Sequence, residues 1–256
     1  MKAMTSLLGV LALLYLLFGA ALYWMQRQFM YFPTPDLVHE FETVQFDSGD
    51  ATLKLVLLNS LNRKAVLYFG GNAEAVVHNA PAFEAAFPDH AVYLVNYRGY
   101  GGSSGEPSQD ALFADALRLW DQLAPLYDSL AVIGRSLGSG VATHLAAERP
   151  VEQLALVTPF DSIAAVARAH YPIYPVSLML KDPYDSASRA GDIAAEVLVL
   201  VAEHDNVIPR RRTDRLIAAF DTPPRVITFE GADHNSLSND PQYNVALADF
   251  LARRAP

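Results

Sequence analysis

The stretch from Leu130 to Val141, LAVIGRSLGSGV, constrains the fold of this chain more than any other part of the sequence. A short run rich in Val and Ile ends at Gly134, and a segment with helical spacing begins directly after Ser136. A strand that enters a helix through G-x-S-x-G makes a sharp turn, in which the serine backbone is strained and its hydroxyl stands clear of the sheet edge. The pattern alone also occurs in ordinary Gly/Ser-rich loops, but the strand before it and the helix after it favour a nucleophile turn at Ser136.

Short apolar runs suited to buried strands recur along the chain and alternate with segments of helical spacing. The first two runs flank a Ser48-Gly49-Asp50 turn, which suggests an antiparallel hairpin. The later alternation predicts a mostly parallel sheet with helices on both faces, whose ligand site lies at the carboxyl ends of the strands. The eight predicted strands are 42–46, 51–58, 65–69, 91–96, 130–134, 154–157, 197–202 and 225–229. The irregular, proline-containing segment 158–190 is predicted to form a small cap above the sheet.

Composition excludes several classes of function. With 256 residues, 52% of them hydrophobic, the chain is long enough for one domain and a short appendage. A net charge of −9 argues against nucleic-acid partners and against a surface selected for anionic lipid headgroups. The absence of cysteine excludes a disulfide framework, a thiolate metal site and a cysteine nucleophile.

The N-terminal segment from Ala3 to Met25 carries no charge. About 22 residues at 1.5 Å each reach roughly 33 Å, which is enough to cross the hydrocarbon core of a bilayer. Tyr23, Trp24 and Tyr31 are predicted to form an interfacial aromatic belt at its C-terminal end. The alternative is a cleaved signal peptide, but the apolar run is longer than the usual core of about 7 to 15 residues. We therefore expect one uncleaved transmembrane anchor.

The expected organisation is an anchor at residues 1–27, a linker at 28–39 and a catalytic domain at 40–256. Positive charge is nearly balanced across the anchor, but Lys2 and the terminal amine outweigh Arg27 on the far side. This slight excess favours a cytoplasmic N-terminus, so the catalytic domain is expected on the non-cytoplasmic side of the cell membrane. Within the linker, Phe32–Pro35 is predicted to be a stiff, extended connector.

A serine hydroxyl becomes a useful nucleophile only when a base takes its proton and a carboxylate holds that base. Of the seven histidines, His234 lies just after the last predicted strand, in GADHNSL, and is the candidate base. Asp205, after the seventh strand, is the preferred acid, and Asp161, after the sixth strand, is its rival. Asp233 is assigned a local structural role, and the adjacent His204 and Asp205 are rejected as a metal pair because no third ligand is apparent.

An oxyanion hole needs two N–H donors near the serine. The backbone N–H of Leu137, at the start of the following helix, is the first candidate. The second is the N–H of Asn72, because Gly70-Gly71-Asn72 follows the third strand and brings the backbone close to the same edge. A Gly-Gly loop before a helix also suits phosphate, but the G-x-x-x-x-G-K pattern is absent.

Seven motifs occur in order along the chain: LYFGGNAEAV, NYRGYGGSSGEPS, GRSLGSGVA, TPFDS, PYDS, AEHDNVIP and GADHNSL. In these motifs and in its hydrophobic start, the chain resembles the membrane-anchored α/β-hydrolases of the serine aminopeptidase-like group, which also includes palmitoyl-protein thioesterases. The resemblance implies the α/β-hydrolase fold, with Ser136 as nucleophile, Asp205 as acid and His234 as base. It further implies that Tyr97–Pro107 and Asp161 are scaffold near the site.

Two departures from the family pattern are visible. The usual His-Gly-Asn after the third strand is Gly70-Gly71-Asn72 here, so the rigidity of this loop does not follow from the resemblance. The cysteine cluster that anchors animal thioesterases is also absent, so depalmitoylation does not follow either.

The expected function is hydrolysis of a carboxylic ester or thioester by a membrane-anchored serine hydrolase, through an acyl-enzyme that water resolves. No metal or organic cofactor is expected, and the expected partner is a small-molecule or lipid-like acyl substrate. A serine peptidase or amidase of the same fold and a non-catalytic membrane-tethered module are the alternatives. Five apolar residues of the predicted cap are expected to line an acyl pocket: Ile163, Ile173, Tyr174, Leu178 and Met179.

Overall fold

The computed structural model describes residues 2–253. The outer ends of the predicted anchor and catalytic domain, Met1 and residues 254–256, lie outside the described residues. The eight strands are β1 (Glu42–Asp47), β2 (Thr52–Leu58), β3 (Lys64–Phe69), β4 (His90–Val95), β5 (Ser129–Arg135), β6 (Gln153–Val157), β7 (Glu196–Ala202) and β8 (Arg225–Phe229). The α-helices are α1 (Lys2–Met30), α2 (Ala80–Ala86), α3 (Gln109–Leu123), α4 (Leu137–Glu148), α5 (Ile163–His170), α6 (Val176–Met179), α7 (Arg210–Ile217) and α8 (Pro241–Leu251).

All eight strands form one sheet in the order β1-β2-β4-β3-β5-β6-β7-β8. β1 pairs antiparallel with β2, and β2 antiparallel with β4, whereas every pairing from β4 to β8 is parallel. The predicted α/β-hydrolase architecture, a mostly parallel eight-stranded sheet, is confirmed. Because the parallel strands run in one direction, the loops that follow β3, β5, β6, β7 and β8 meet at the same edge.

The sheet separates two hydrophobic cores. One core packs the sheet against α3 and α4, through side chains such as Leu119 and Leu145. The other packs it against α2 and α8, through Phe83 and Phe250. Central strands such as β4, buried along their whole length, read in the sequence as continuous apolar runs because neither face meets water.

Helix α1 is the one helix within residues 2–253 that is long and apolar enough to cross a membrane, over Met4–Met30. It extends to Met30, three residues beyond the predicted end of the anchor. Its C-terminal half lies against the cap, where the Arg27 guanidinium pairs with the buried Asp182 carboxylate at 2.8 Å. The predicted connector therefore does not hold the helix away from the domain.

The prediction for Tyr31 is wrong. Instead of belonging to an interfacial aromatic belt, Tyr31 is buried in the core of the domain, and its hydroxyl hydrogen-bonds to that of Tyr184 at 2.9 Å. The following residues also bind the domain, since the Gly101 N–H donates to the Thr34 carbonyl at 2.9 Å and Lys54 pairs with Asp36 at 2.6 Å. From sequence alone, an aromatic residue next to an apolar helix is equally consistent with a membrane interface and with a protein core. In the structure Tyr31 lies in the core.

Candidate active site

Ser136 occupies the sharp turn between β5 and α4. Its backbone angles are φ 48° and ψ −112°, a conformation that L-residues adopt rarely and at a cost in energy. The Ser136 N–H donates to the Val157 carbonyl on the neighbouring strand at 2.9 Å, which holds the turn against the sheet. A Cβ on Gly138 would overlap the carbonyl of Phe69 on β3, so this glycine allows helix and strand to approach closely.

The side chains of Asp205, His234 and Ser136 form a continuous chain of polar contacts. His234 Nδ1 lies 2.7 Å from Asp205 Oδ2, and His234 Nε2 lies 2.9 Å from Ser136 Oγ. A carboxylate only accepts hydrogen bonds, so a neutral His234 donates through Nδ1 and presents an unprotonated Nε2 to the serine hydroxyl. The structure thus brings together three residues that the sequence places at three separate strand ends.

The carboxylate of Asp205 is held in place by the backbone. Its second oxygen, Oδ1, accepts hydrogen bonds from the N–H groups of Val207 at 2.9 Å and Ile208 at 2.7 Å. The side chains of Asp205 and His234 are only 6% and 8% exposed, so little water competes for their contact. A fixed, desolvated carboxylate of this kind orients the imidazole and stabilises its protonated form.

The rival acid, Asp161, makes its hydrogen bonds with Arg212 and Ser162. Its Oδ2 accepts a hydrogen bond from Arg212 at 2.9 Å, and its Oδ1 accepts one from the N–H of Ser162 at 2.8 Å. Asp233 accepts hydrogen bonds from the N–H groups of Asn235 and Ser236, and these bonds lower the pKa of its carboxyl. The assigned local role of Asp233 therefore matches its contacts.

The loop after β3 lies directly beside the serine. A Cβ added to Gly71 would lie 3.7 Å from Ser136 Cβ, and Asn72, Ser136 and Leu137 line the same cavity. Leu137 is the first residue of α4, and the N–H groups of the first helical turn have no acceptor within their own helix. This arrangement brings both predicted donor residues to the cavity at Ser136.

Glu74, which sequence reasoning did not single out, holds this loop. Its carboxylate accepts hydrogen bonds from the Gly71 N–H at 2.5 Å, the Tyr68 hydroxyl at 2.7 Å and Asn79 Nδ2 at 2.6 Å. Burial, reinforced by the Glu74 charge, raises the pKa of Tyr68, so its hydroxyl stays a donor. Glu74 thus holds the loop through hydrogen bonds from three separate donors.

Arg135, the residue directly before the nucleophile candidate, was also not predicted from the sequence to have a role at the site. Burial by itself would lower the pKa of Arg135, but the Glu74 carboxylate, 3.4 Å away, raises it above its ordinary value. The charged guanidinium also donates to the His234 carbonyl at 3.5 Å. Arg135 therefore links the loop after β3 to the loop that carries His234. An arginine inside G-x-S-x-G was visible in the sequence, but its partners depend on tertiary structure.

The Asn72 side chain ties the same loop to the end of α1. Its Nδ2 donates to the Met30 carbonyl at 2.6 Å, while its Oδ1 accepts from the Phe32 N–H at 3.0 Å and from the Tyr100 hydroxyl at 2.8 Å. Tyr100 belongs to the glycine-rich segment Tyr97–Pro107, which the resemblance assigned to scaffold. These bonds join the last turn of α1, the connector and the loop beside Ser136.

A cavity of about 360 Å³ opens above Ser136. The part beside the serine is lined by Asn72, Ser136, Leu137, Val207 and Ile208. The wall from α1 consists of Leu22, Tyr23, Gln26, Phe29 and Met30. The remaining wall consists of Phe160, Ile163, Val166, Ala167, Tyr171, Tyr174, Val176, Met179 and Leu180. Most of these side chains are apolar, and the contribution from α1 was not anticipated from the sequence.

Two of the five cap residues expected in this cavity lie elsewhere. Ile163, Tyr174 and Met179 line it, but the side chains of Ile173 and Leu178 point outward and are 71% and 85% exposed. The expectation for these two is wrong, because the short turns of the cap are too irregular for the facing of each side chain to follow from sequence. In residues 2–253, no group of three or more His, Asp or Glu side chains is placed to hold a metal ion.

Residues 64–172 match the profile of a family described as alpha/beta hydrolase fold. An uncharacterized protein of Mycobacterium tuberculosis (strain ATCC 25618 / H37Rv) is 40% identical over 149 residues, which are 57% of this chain and 53% of that protein. The lysophosphatidylserine lipase ABHD12 of Bos taurus is 29% identical, and the match covers 77% of this chain and 58% of that protein. The chain thus spans a little over half the length of these curated relatives.

Solved structures give the same architecture. The esterase Pf2001 of Pyrococcus furiosus superposes with a TM-score of 0.68 at 15% identity, and the match covers 88% of this chain and 98% of the esterase chain. A hydrolase from Pseudomonas aeruginosa PA01 superposes with a TM-score of 0.66 at 20% identity, covering 83% of this chain and 99% of its own. At these identities the likeness shows the fold.

Proposed function

The chain has the α/β-hydrolase fold, and on that premise we propose that it is a membrane-anchored serine hydrolase that cleaves esters of lipid-like acyl chains. The observation that carries the proposal is the chain of contacts from Asp205 through His234 to Ser136, at 2.7 and 2.9 Å, at the base of an apolar cavity. A nucleophile, an oriented base and a pocket for an apolar acyl group are the three parts that ester hydrolysis by this route requires.

The reaction follows from the positions of these groups. Ser136 Oγ attacks the acyl carbonyl carbon while His234 Nε2 takes the hydroxyl proton, and Asp205 stabilises the resulting imidazolium. The backbone N–H groups of Leu137 and Asn72 hold the oxyanion of the tetrahedral intermediate. His234 then gives its proton to the departing alcohol, or thiol, and an acyl-enzyme remains. Water, deprotonated by the same histidine, attacks the acyl carbonyl carbon, and His234 returns the proton to Ser136 Oγ as the carboxylic acid leaves.

The cavity supports an apolar acyl group as the recognised part of the substrate. Its walls are mainly aliphatic and aromatic, and its volume of about 360 Å³ lies near the lower end of the range for small-molecule sites. A pocket of this size suits one acyl chain. The lysophosphatidylserine lipases among the relatives act, by their name, on a lipid with a single acyl chain, which favours a lipid ester over a peptide for this chain as well.

The membrane location rests on α1. This helix spans Lys2–Met30, about 44 Å at 1.5 Å per residue, and most of its apolar side chains are exposed, as expected of a helix surrounded by lipid. We place the catalytic domain on the non-cytoplasmic side in a single-pass topology. Because the chain contains no cysteine, a single cysteine at the exposed Leu61 gives an unambiguous test. A membrane-impermeant maleimide should label it in intact cells, and labelling only after permeabilisation would reverse the orientation.

The proposed chemistry is tested with the full-length chain in lipid vesicles, assayed against three p-nitro substrates. We expect hydrolysis of p-nitrophenyl butyrate and p-nitrophenyl decanoate, with the higher kcat/KM for decanoate, and little release from a peptide p-nitroanilide. Ser136→Ala should abolish ester hydrolysis. Hydrolysis of the peptide substrate without the esters would favour a peptidase, and activity that survives in Ser136→Ala would remove the serine from the mechanism.

A further inference from the structure

One face of α1 packs along the cap instead of lying free. The Tyr15 ring stacks on the Tyr174 ring with centroids 4.6 Å apart and planes within 4° of parallel. Gly19 lies one turn further along, and a Cβ there would come within 3.0 Å of Tyr174 Cε1. Tyr15, Gly19, Leu22 and Gln26 have helical spacing, so they present one continuous stripe to the cap. The stripe covers the half of α1 that is nearer to the domain.

The contact between α1 and the cap extends towards the N-terminus of the helix as far as Tyr15. At the upper end, the Lys181 ammonium lies 4.5 Å from the centroid of the Tyr23 ring and 5.6 Å from that of Trp24. A lysine beside two such aromatics marks the headgroup level of a spanning helix. Tyr15 is eight residues closer to the N-terminus than Tyr23, a distance of about 12 Å along the axis. If α1 spans the bilayer, its contact with Tyr174 lies about 12 Å below the headgroups, within the hydrocarbon region.

The part of the cap that extends from the level of Lys181 to this depth is residues 171–180, YPIYPVSLML, which we call the cap tip. It contains no charged residue. Two of its large side chains are directed outward, with exposed fractions of 71% for Ile173 and 85% for Leu178, and Tyr171, which also lines the cavity, is 45% exposed. Apolar surface of this kind is unfavourable in water and favourable in hydrocarbon, by about 25 cal/mol for each Å² removed from water.

The backbone of the cap tip is also suited to a water-free environment, where unpaired polar groups are costly. Pro172 and Pro175 have no N–H to satisfy. The Ile173 carbonyl accepts a hydrogen bond from the Tyr15 hydroxyl at 2.8 Å, and the Tyr15 carbonyl accepts one from the Tyr174 hydroxyl at 3.2 Å. Further backbone N–H donors that are bonded within the tip are those of Tyr174, Val176, Leu178, Met179 and Leu180.

We propose that the cap tip is immersed in the bilayer beside α1, so that an acyl chain passes from the hydrocarbon phase into the cavity at Ser136. The occupant of the exposed apolar surface is membrane lipid, because that surface continues the exposed apolar surface of α1 and carries no charge. The cavity runs between the same two elements, with Leu22 and Phe29 on one wall and Tyr174 and Met179 on the other. This inference rests on the proposed function, since it takes α1 as the anchor and an acyl lipid as the substrate.

The depth of the cap tip is measured in the full-length chain, reconstituted in phosphatidylcholine vesicles. Ile173→Cys and Leu178→Cys are labelled with the fluorophore NBD, which the cysteine-free background makes site-specific. Leu61→Cys and Leu126→Cys are the controls, because both leucines are exposed and precede β3 and β5 at the opposite edge of the sheet. We expect doxyl-labelled lipids to quench the two tip positions and aqueous iodide to quench the controls. Iodide quenching at the tip equal to that of the controls would overturn the proposal.

A charged variant tests the route of the substrate. Leu178→Glu should reduce hydrolysis of a long-chain acyl ester dissolved in the vesicle bilayer by on the order of tenfold. A carboxylate in hydrocarbon is costly, so the variant tip should leave the bilayer. Hydrolysis of water-soluble p-nitrophenyl butyrate should stay unchanged, and Leu126→Glu should affect neither substrate. Absence of this selective loss would contradict delivery from the bilayer. If the wild type hydrolyses no ester, the proposed function fails, whereas quenching still reports the position of the tip.

Discussion

The side chain of Asn72 donates a 2.6 Å hydrogen bond to the carbonyl of Met30, the last residue of α1. The loop beside Ser136 is thereby tied to the helix that we propose as the membrane anchor. Helix α1 also forms a wall of the cavity and is bonded to the loop beside Ser136, so we expect a change in α1 to alter the proposed catalysis.

Asn72→Ala tests this connection, because alanine keeps the backbone N–H proposed for the oxyanion and removes the side-chain bonds to Met30, Phe32, Ala73 and Tyr100. We expect kcat for p-nitrophenyl butyrate to fall by on the order of 10²-fold with KM little changed, since a shift of about 1 Å at a positioned group has an effect of that size. Tyr100→Phe, which removes one of these bonds, should have a smaller effect of the same kind. A normal kcat for Asn72→Ala would show that the side-chain bonds do not position the loop.

Asp205→Asn should lower kcat by on the order of 10⁴, because the amide cannot hold His234 in the tautomer that leaves Nε2 free. Asp161→Asn is the matched control. It breaks the buried pair with Arg212 and should reduce the free energy of unfolding by about 3–5 kcal/mol, with kcat of the folded protein nearly unchanged. Chemical denaturation and steady-state kinetics on both variants separate the two roles. If Asp161→Asn proves to be the variant that loses kcat, the acid is misassigned.

The pH dependence of stability should include a contribution from His144. Burial, followed by the positive charge of Arg189, lowers the pKa of His144, whose ring stacks on Phe113 with centroids 4.0 Å apart. The unfolded chain therefore binds a proton more readily, so this stability is complete above pH of about 6.5 and is lost as the pH falls below that value. The slope for one histidine is at most about 1.4 kcal/mol per pH unit.

His144→Phe keeps the stacked ring and removes the titrating group. We expect its free energy of unfolding, measured with urea between pH 7.5 and 5.5, to fall less steeply than that of the wild type. His90, whose pKa is also lowered by burial, accounts for part of the pH dependence that the His144→Phe variant keeps. Parallel curves for the two proteins would mean that His144 does not contribute.

The sheet was predictable because its strands are buried apolar runs separated by turn residues. Ser136 directly follows one such run, and His234 lies in the loop after another. Other features depend on contacts between distant segments. Asp205 and Asp161 each follow a strand, and only the direction of the loop, fixed by the N–H groups of Val207 and Ile208, brings one of them to the histidine. Hydropathy identified α1, but it did not identify the stripe from Tyr15 to Gln26 that packs against the cap. Aromatic residues and glycine occur both on helix faces that contact lipid and on faces that contact protein.

The proposed nucleophile is tested most directly by reaction of the full-length chain with a fluorophosphonate probe, which labels an activated serine covalently. Wild type should label at Ser136, as mapped by mass spectrometry of the modified peptide. Ser136→Ala should not label, and Ser139→Ala, which changes a neighbouring buried serine of α4, serves as the matched control. Wild-type protein that stays unlabelled, or Ser136→Ala that labels equally well, would contradict the account.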